Sequence, residues 1–564
     1  MLALLLSASL AGVFSSPPVI QTYLGLIEGF EYSLNNGKSA DVFLGVPYAS
    51  PPVGQLRYEL PYPPFPWFGV KKAKTFGAPC FQHTDQFVLT GPGNFSEDCL
   101  TLNIMAPHEK SPDPRGYPVV VFIHGGGFEV GGSNFYPYQN ISQNFVSQGI
   151  VFVTINYRLS AFGFFTTGDG VVPGNLGYWD QTMALRFVKQ HIRAFRGNPQ
   201  SITLMGESAG SASVSALSLS PHSSYLFHRA ICMSGSQYTI FASHDRVKTA
   251  SFELAKALNC TGWSYRIARC MKSKTSQQIR DAIKIIGYSV DQLNPVQFNP
   301  YFDGVFFPEE PHRLIKHARK IPTIIGTNDF EGGFFTLIDL VYLYQSAVPQ
   351  AKWANYSASD LESYLTTKMV PADYGSDNIN KMAKKLIDYY VKRGGPNLTN
   401  TDYLERFGDV FTDVMFNIPV HQEAKDKVTA GIPVYIFRQE YHNPILTEKF
   451  PVKKAFHGNE IPYLLGAFFQ GTPFQFDEND LAFQKDLLAG LVPFIKTGKP
   501  GKVSGQVWEP VTKRDLGRYM SFAIPSKMKS NFVQEAVDFW TKEMCSGVDA
   551  HMIREELLPG FRCP

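Results

Sequence analysis

The sequence predicts an α/β chain: a mostly parallel central sheet with flanking helices and large helical or loop insertions. That expectation rests on short apolar runs rich in valine and isoleucine, on helical periodicity between them, and on a glycine-flanked serine where one run gives way to a helix. The runs are Val119 to Ile123, Ile150 to Ile155, Ile202 to Met205, Ala230 to Met233, Thr323 to Ile325 and Val434 to Phe437. Their unbroken apolar character marks strands buried on both faces, as in sheets covered by crossover helices. Within Gln181 to Arg193, apolar Ala184, Phe187, Val188 and Ile192 recur at i, i+3, i+4 and i+8 and share one helix face. Crossovers of this kind put functional loops at the carboxyl ends of the strands. Residues from about Tyr238 to Lys320 and from Thr336 to Val428 read as mixed helices and loops inserted over the sheet.

The chain has 564 residues. One hydrophobic core rarely exceeds about 250–300 residues, yet no linker, charge run or repeat divides this chain, so residues 17–564 are expected to form one elaborated domain. A hydrophobic fraction of 44% and an aromatic fraction of 14% supply a packed interior and an apolar cavity, which excludes disorder. The formal charge of +3 is scattered over the chain. Nucleic-acid binding needs a clustered basic stripe, and no such partner is expected.

Residues 1–16 carry Leu2, Ala3, Leu4, Leu5 and Leu6, then small residues before Pro17 and Pro18. This is the pattern of a signal peptide, too short to remain as a membrane anchor. Sequons at Asn94, Asn140, Asn259, Asn355 and Asn397 agree with export as a glycoprotein. The C-terminal segment shows neither a lipid-anchor tail nor a retention tetrapeptide, so a soluble secreted protein without a membrane anchor is expected. With 7 cysteines, at least one thiol is free or intermolecular. Cys80 with Cys99, and Cys260 with Cys270, are close enough in sequence to close surface loops. Cys232 lies in an apolar run and is the candidate free thiol, which leaves Cys545 and Cys563 to pair by elimination, although spacing does not dictate connectivity.

The strongest chemical signal is Gly206-Glu-Ser-Ala-Gly210, between the strand-like Ile202 to Met205 and the helix-compatible Ser211 to Leu217. Gly-x-Ser-x-Gly at such a junction makes a sharp turn that presents Ser208 Oγ at a helix N-terminus, the position of a nucleophile. Acyl transfer also needs donors for an oxyanion, and His124-Gly-Gly-Gly-Phe128 follows another strand. Its glycines let peptide N–H groups approach a tetrahedral intermediate, so Gly126, Gly127 and Ala209 are the expected donors.

Beyond these motifs, Phe43 to Ala49, Pro51 to Gly54, Glu97 to Leu100, Asn175 to Gln181, Phe195 to Pro199, Gly326 to Gly332 and His457 to Pro462 together resemble the type-B carboxylesterase family, which includes cholinesterases. The resemblance spans most of the chain in the family's order. It implies an α/β-hydrolase fold, hydrolysis of small-molecule carboxylic esters through a covalent acyl-enzyme, and no metal or organic cofactor. It maps the acid of a triad to Glu331 and the base to His457, with Asp329 as the only nearby rival acid. It also implies disulfides Cys80–Cys99 and Cys260–Cys270. Cholinesterases carry a choline-binding tryptophan in the loop equivalent to Cys80 through Cys99; this loop has none, so uncharged esters are the expected substrates. Phe81, Phe87, Phe95, Phe334 and Phe335 are read as apolar lining. Two rivals share the resemblance: an adhesion protein that works only by binding, disfavoured by the intact Ser208, Glu331 and His457, and a lipase acting at lipid surfaces.

Overall fold

The apolar runs become the middle of an eleven-stranded sheet. The computed structural model describes residues 17–564 except 83–93, 288–292, 295, 340–344, 371–374, 469–473, 549–552, 554–556, 559–562 and 564. The signal-peptide expectation for residues 1–16, and Phe87, lie outside the described residues. In chain order the strands are β1 (Phe30–Ser33), β2 (Ser39–Pro47), β3 (Thr101–Pro107), β4 (Tyr117–Ile123), β5 (Val151–Ile155), β6 (Gly197–Glu207), β7 (Arg229–Met233), β8 (Thr323–Asn328), β9 (Val434–Gln439), β10 (Tyr519–Phe522) and β11 (Lys527–Lys529). Across the sheet their order is β11-β10-β9-β8-β7-β6-β4-β5-β3-β2-β1. Pairings from β5 through β4 and β6 to β10 are parallel, and the margins are antiparallel.

Each predicted run falls in a parallel strand, with only Ile150 left just before β5, and the reason is double burial. In β4, Val119, Val121 and Ile123 join a hydrophobic cluster on one face while Val120 and Phe122 join a cluster on the other. The marginal β1 to β3, and the small sheet of Val19–Thr22, Gly25–Glu28 and Val70–Lys72, escaped the sequence reading. β1 alternates half-buried and exposed positions, so it offers only a short period-2 signal.

The helices that matter below are α1 (Leu176–His191), α2 (Ala209–Leu219), α3 (Ser264–Ser273), α4 (Ile418–Thr429) and α5 (Glu478–Thr497). The predicted helical face begins one turn before Gln181, and a tight 3₁₀ turn at Ile192–Phe195 ends it. β4 lies between β5 and β6, so the chain leaves it in opposite directions across the sheet. That reversal opens a crevice at the carboxyl ends of β4 and β6, the usual place for a ligand in such sheets.

Disulfides join Cys80 to Cys99, Cys260 to Cys270 and Cys545 to Cys563, and Cys232 is free and buried in β7. Burial pushes the Cys232 thiol up to about 12, which leaves it unreactive. All five sequon asparagines are exposed. No described helix is long and apolar enough to cross a membrane.

Candidate active site

Where β6 meets α2 the backbone doubles back at Ser208, with φ 58° and ψ −124°. A non-glycine residue takes this conformation at a cost, and only when its surroundings enforce it. They do: the Ser208 N–H donates to the Met233 carbonyl at 2.9 Å and its carbonyl accepts from the Ala212 N–H at 2.9 Å. The two glycines of the pentapeptide are sterically required. A Cβ on Gly206 would sit 2.3 Å from the Gly210 carbonyl oxygen, and one on Gly210 would sit 2.1 Å from that of Ile123.

The loop after β4 lies directly against this elbow, since a Cβ on Gly125 would come within 2.9 Å of Ser208 Cβ. Gly126 and Gly127 adopt φ of +107° and +63°, the region that glycine enters freely. The Gly126 carbonyl accepts from the N–H groups of Glu129 (3.1 Å) and Val130 (3.0 Å). Among the described residues no protein acceptor takes the N–H of Gly126 or Gly127. Ala209 opens α2, so its N–H has no intrahelical acceptor. His124 is a neutral brace: burial pushes it down to about 4, its ring stacks on Tyr157 at 4.5 Å, and its carbonyl accepts from the Tyr157 hydroxyl at 3.0 Å. Glu129 clasps the loop from the other side. Its Oε1 accepts from the N–H groups of Gln297 (2.8 Å) and Phe298 (3.0 Å), which sets the Val296 methyl 3.5 Å from where a Gly127 Cβ would be. Burial pushes the Glu129 carboxyl up to about 8, against the pull of those two hydrogen bonds.

Beyond β8 and β9 the site is built from charge. His457 Nδ1 lies 2.6 Å from Glu331 Oε2. Glu331, fully buried, is itself held: its Oε1 accepts from the Asn328 N–H and the Ser234 hydroxyl, each at 2.6 Å. On the other side of the imidazole, Nε2 is 3.3 Å from Glu207 Oε1. Glu460 completes the cluster, accepting from Asn328 Nδ2 at 2.9 Å. Burial raises the carboxyls of Glu207 and Glu460 well above the usual range, Glu207 opposed by His457 and Glu460 reinforced by Glu331. Burial resists a charge on His457, but the carboxyls of Glu207, Glu331 and Glu460 outweigh it and raise the imidazole above its ordinary value. Phe334, Phe335 and Phe416 pack around the ring at centroid distances of 5.7, 5.6 and 4.8 Å.

The model of the carboxylesterase family matches residues 16–540. The chain belongs to the carboxylesterase family. Its fold is the α/β-hydrolase fold and its chemistry is hydrolysis of carboxylic esters. Relatives include gut esterase 1 of Caenorhabditis briggsae, 34% identical over 549 residues that cover 96% of this chain and 95% of the relative. Liver carboxylesterase of Sus scrofa is 31% identical over 95% of this chain and 94% of its own length. Cocaine esterase of Homo sapiens is 31% identical over 94% and 92%.

In this carboxylesterase the structure brings Glu331, and not Asp329, to the histidine. Asp329 Oδ1 instead accepts from the Ala455 N–H at 2.8 Å and braces the segment leading to His457. Among the hydrogen bonds of the described residues none joins Ser208 to His457, a contact that in such sites commonly tightens only with substrate bound. Phe334 and Phe335 line the imidazole as apolar walls, Phe81 lies 5.7 Å beneath the Arg280 guanidinium, and Phe95 is half-buried. Sequence reasoning missed Glu207, Glu460, Ser234, Asn328 and Glu129. Glu207 and Glu460 stood inside motifs already singled out, so an acidic residue within each was the signal that could have found them. Nothing local marks Ser234.

Proposed function

We infer that this enzyme hydrolyses esters through Ser208 as nucleophile, His457 as general base then general acid, and Glu331 as the carboxylate that orients the imidazole. One observation carries the reading. A buried carboxylate holds His457 by Nδ1, which leaves Nε2 on the side of Glu207, the residue that precedes Ser208 at the elbow. In the first half-reaction Ser208 Oγ attacks the ester carbonyl while its proton passes to Nε2. The oxyanion forms among the N–H groups of Gly126, Gly127 and Ala209, and collapse expels the alcohol with the proton from His457. Water then repeats the sequence on the acyl-enzyme. Residues 17–564 act as one domain in this reading, and the secreted glycoprotein form is supported by three disulfides and five exposed sequons.

The test is Ser208→Ala. It should fold and be secreted yet lose at least about a thousandfold in kcat, and it should no longer react with a fluorophosphonate probe. A variant that keeps a tenth of the activity refutes the assignment.

Preference for uncharged esters is the finer part of the proposal. A quaternary ammonium must shed water to enter an apolar cavity, and each missing desolvated cation–π contact costs about 2 kcal/mol, roughly thirtyfold in rate. The loop closed by Cys80 and Cys99 supplies no tryptophan face. Comparing kcat/KM for butyrylthiocholine and a neutral thioester of the same acyl chain decides it. A tenfold advantage for the choline substrate would reverse the reading.

A further inference from the structure

A second concavity of about 660 Å³ shares no lining residue with the site above; Gln55, Tyr58, Glu59, Val171, Val172 and α3 with the preceding Trp263 enclose it. Small-molecule sites usually measure about 300–1,000 Å³. Trp263 and Tyr265 are 69% and 63% exposed with ring centroids 5.4 Å apart, so two large aromatic faces are held together in water with little to cover them. On the next turn of α3 stand Arg266 and Arg269, both exposed and without a carboxylate partner among the described residues. Two neighbouring acids are already engaged. Glu59 pairs with Lys272, and Asp169 accepts from the hydroxyls of Thr167 and Ser264. The lining therefore carries three cations against one carboxylate, and that carboxylate is paired with one of the three.

The floor adds an independent observation. Tyr58 is 1% exposed and sits at a strained φ of 64°. A left-handed backbone at a non-glycine residue costs free energy, and such strain concentrates where a ligand binds. The frame is also stiff. The Cys260–Cys270 disulfide staples α3 to the preceding loop, and Arg57, paired with Glu97, donates to the carbonyls of Met271, Lys272 and Lys274 at its far end.

We propose that this cleft binds an organic anion with a flat apolar body, its carboxylate or sulfate on Arg266 and Arg269 and its rings against Trp263 and Tyr265. Guanidinium forks match such oxyanions in pairs of hydrogen bonds, and a rigid aromatic pair takes up a planar body at low entropic cost. Inorganic phosphate would leave the aromatic faces unused, and a neutral arene would leave the arginines unused. The site is distinct from the catalytic crevice and does not rest on the assignment of Ser208.

The experiment titrates the purified enzyme with 1-anilinonaphthalene-8-sulfonate, before and after its reactive serine is blocked with a fluorophosphonate. Saturable one-to-one binding is expected, unchanged by the block and weakened by added salt. R266Q/R269Q and W263A should each weaken it at least about tenfold, while hydrolysis of a soluble ester stays at the wild-type rate and certifies the fold. The neutral N-phenyl-1-naphthylamine should bind at least about tenfold more weakly than the sulfonate. Binding abolished by the block, binding indifferent to both variants, or equal binding of the neutral amine would each overturn the proposal.

Discussion

At the carboxyl ends of β4 and β6 the site is made of backbone, whereas beyond β8 and β9 it is made of buried charge. In the first region the working groups are peptide N–H groups, and the side chains that matter are the ones glycine lacks: a Cβ at Gly125, Gly126, Gly206 or Gly210 would overlap neighbouring atoms. In the second region Glu331 and Glu460 flank one imidazole, each held by polar neighbours, and Glu207 reaches the same ring from the end of β6. The contrast separates two kinds of fragility. A backbone site fails by small displacements, while a charge site fails by a proton in the wrong place.

The largest expected effect tests the second kind. Glu331 Oε1 faces two donors, the Asn328 N–H and the Ser234 hydroxyl. In Glu331→Gln the amide oxygen must take that position, which turns the amide N–H toward His457 Nδ1. The imidazole is then forced into the tautomer with its proton on Nε2, and it cannot accept one from Ser208. A loss of about a thousandfold or more in kcat is expected, with little change in Tm. Asp329→Asn keeps an oxygen for the Ala455 N–H and should cost less than about tenfold. The reverse ranking would move the acid role to Asp329 and dissolve the contrast.

Backbone fragility is tested next, by two glycines that sit side by side. A Cβ on Gly126 would lie 2.2 Å from the Val130 carbonyl oxygen, so Gly126→Ala must shift the loop and its N–H groups. The expected loss in kcat is about a hundredfold, the usual size for a displaced oxyanion donor. A Cβ on Gly127 meets only a Val296 methyl at 3.5 Å. Gly127→Ala therefore keeps the donors in place, carries a left-handed strain of about 1–2 kcal/mol, and should lose less than about tenfold in kcat. Steady-state kinetics on folded protein reads both. Equal losses would show that the donors tolerate displacement.

The same contrast explains what was legible in the sequence. Ser208, Gly126 and Gly127 announce themselves because steric demands on the backbone act over a few residues, and at Gly126, Gly206 and Gly210 glycine is the only residue that meets them. The parallel strands β4 to β9 were legible because they are covered on both faces, whereas β10, parallel to β9, went unread. His457 and Glu331 are 126 residues apart. No local rule pairs one of 13 histidines with one of many carboxylates, and only the family resemblance did so. Ser234 and Glu129 were illegible for the same reason. Their partners, Glu331 and the N–H groups of Gln297 and Phe298, are brought to them by the fold alone.

The smallest expected effect is a displacement in pH, and it probes which member of the charge cluster holds a proton. His457 works as a base only when neutral, so kcat/KM falls as pH drops through its pKa. Carboxylates around an imidazole stabilise its charged form, which moves that fall to higher pH; an isolated imidazole titrates near about 6.5. The acidic limb of the wild-type profile should therefore lie above that value, in keeping with the raised imidazole. Glu207 Oε1, 3.3 Å from Nε2, is the nearest carboxyl on the face that receives the Ser208 proton. Glu207→Gln keeps the shape and removes the charge, so the imidazolium loses support and the limb should move to lower pH. Activity at mildly acidic pH should then rise relative to wild type, even if the plateau falls. The limb belongs to the coupled cluster rather than to one residue, and that makes the sign informative. If the limb stays where it was, Glu207 already carries the proton in the working enzyme, and the charge that lifts His457 comes from Glu331 and Glu460 alone.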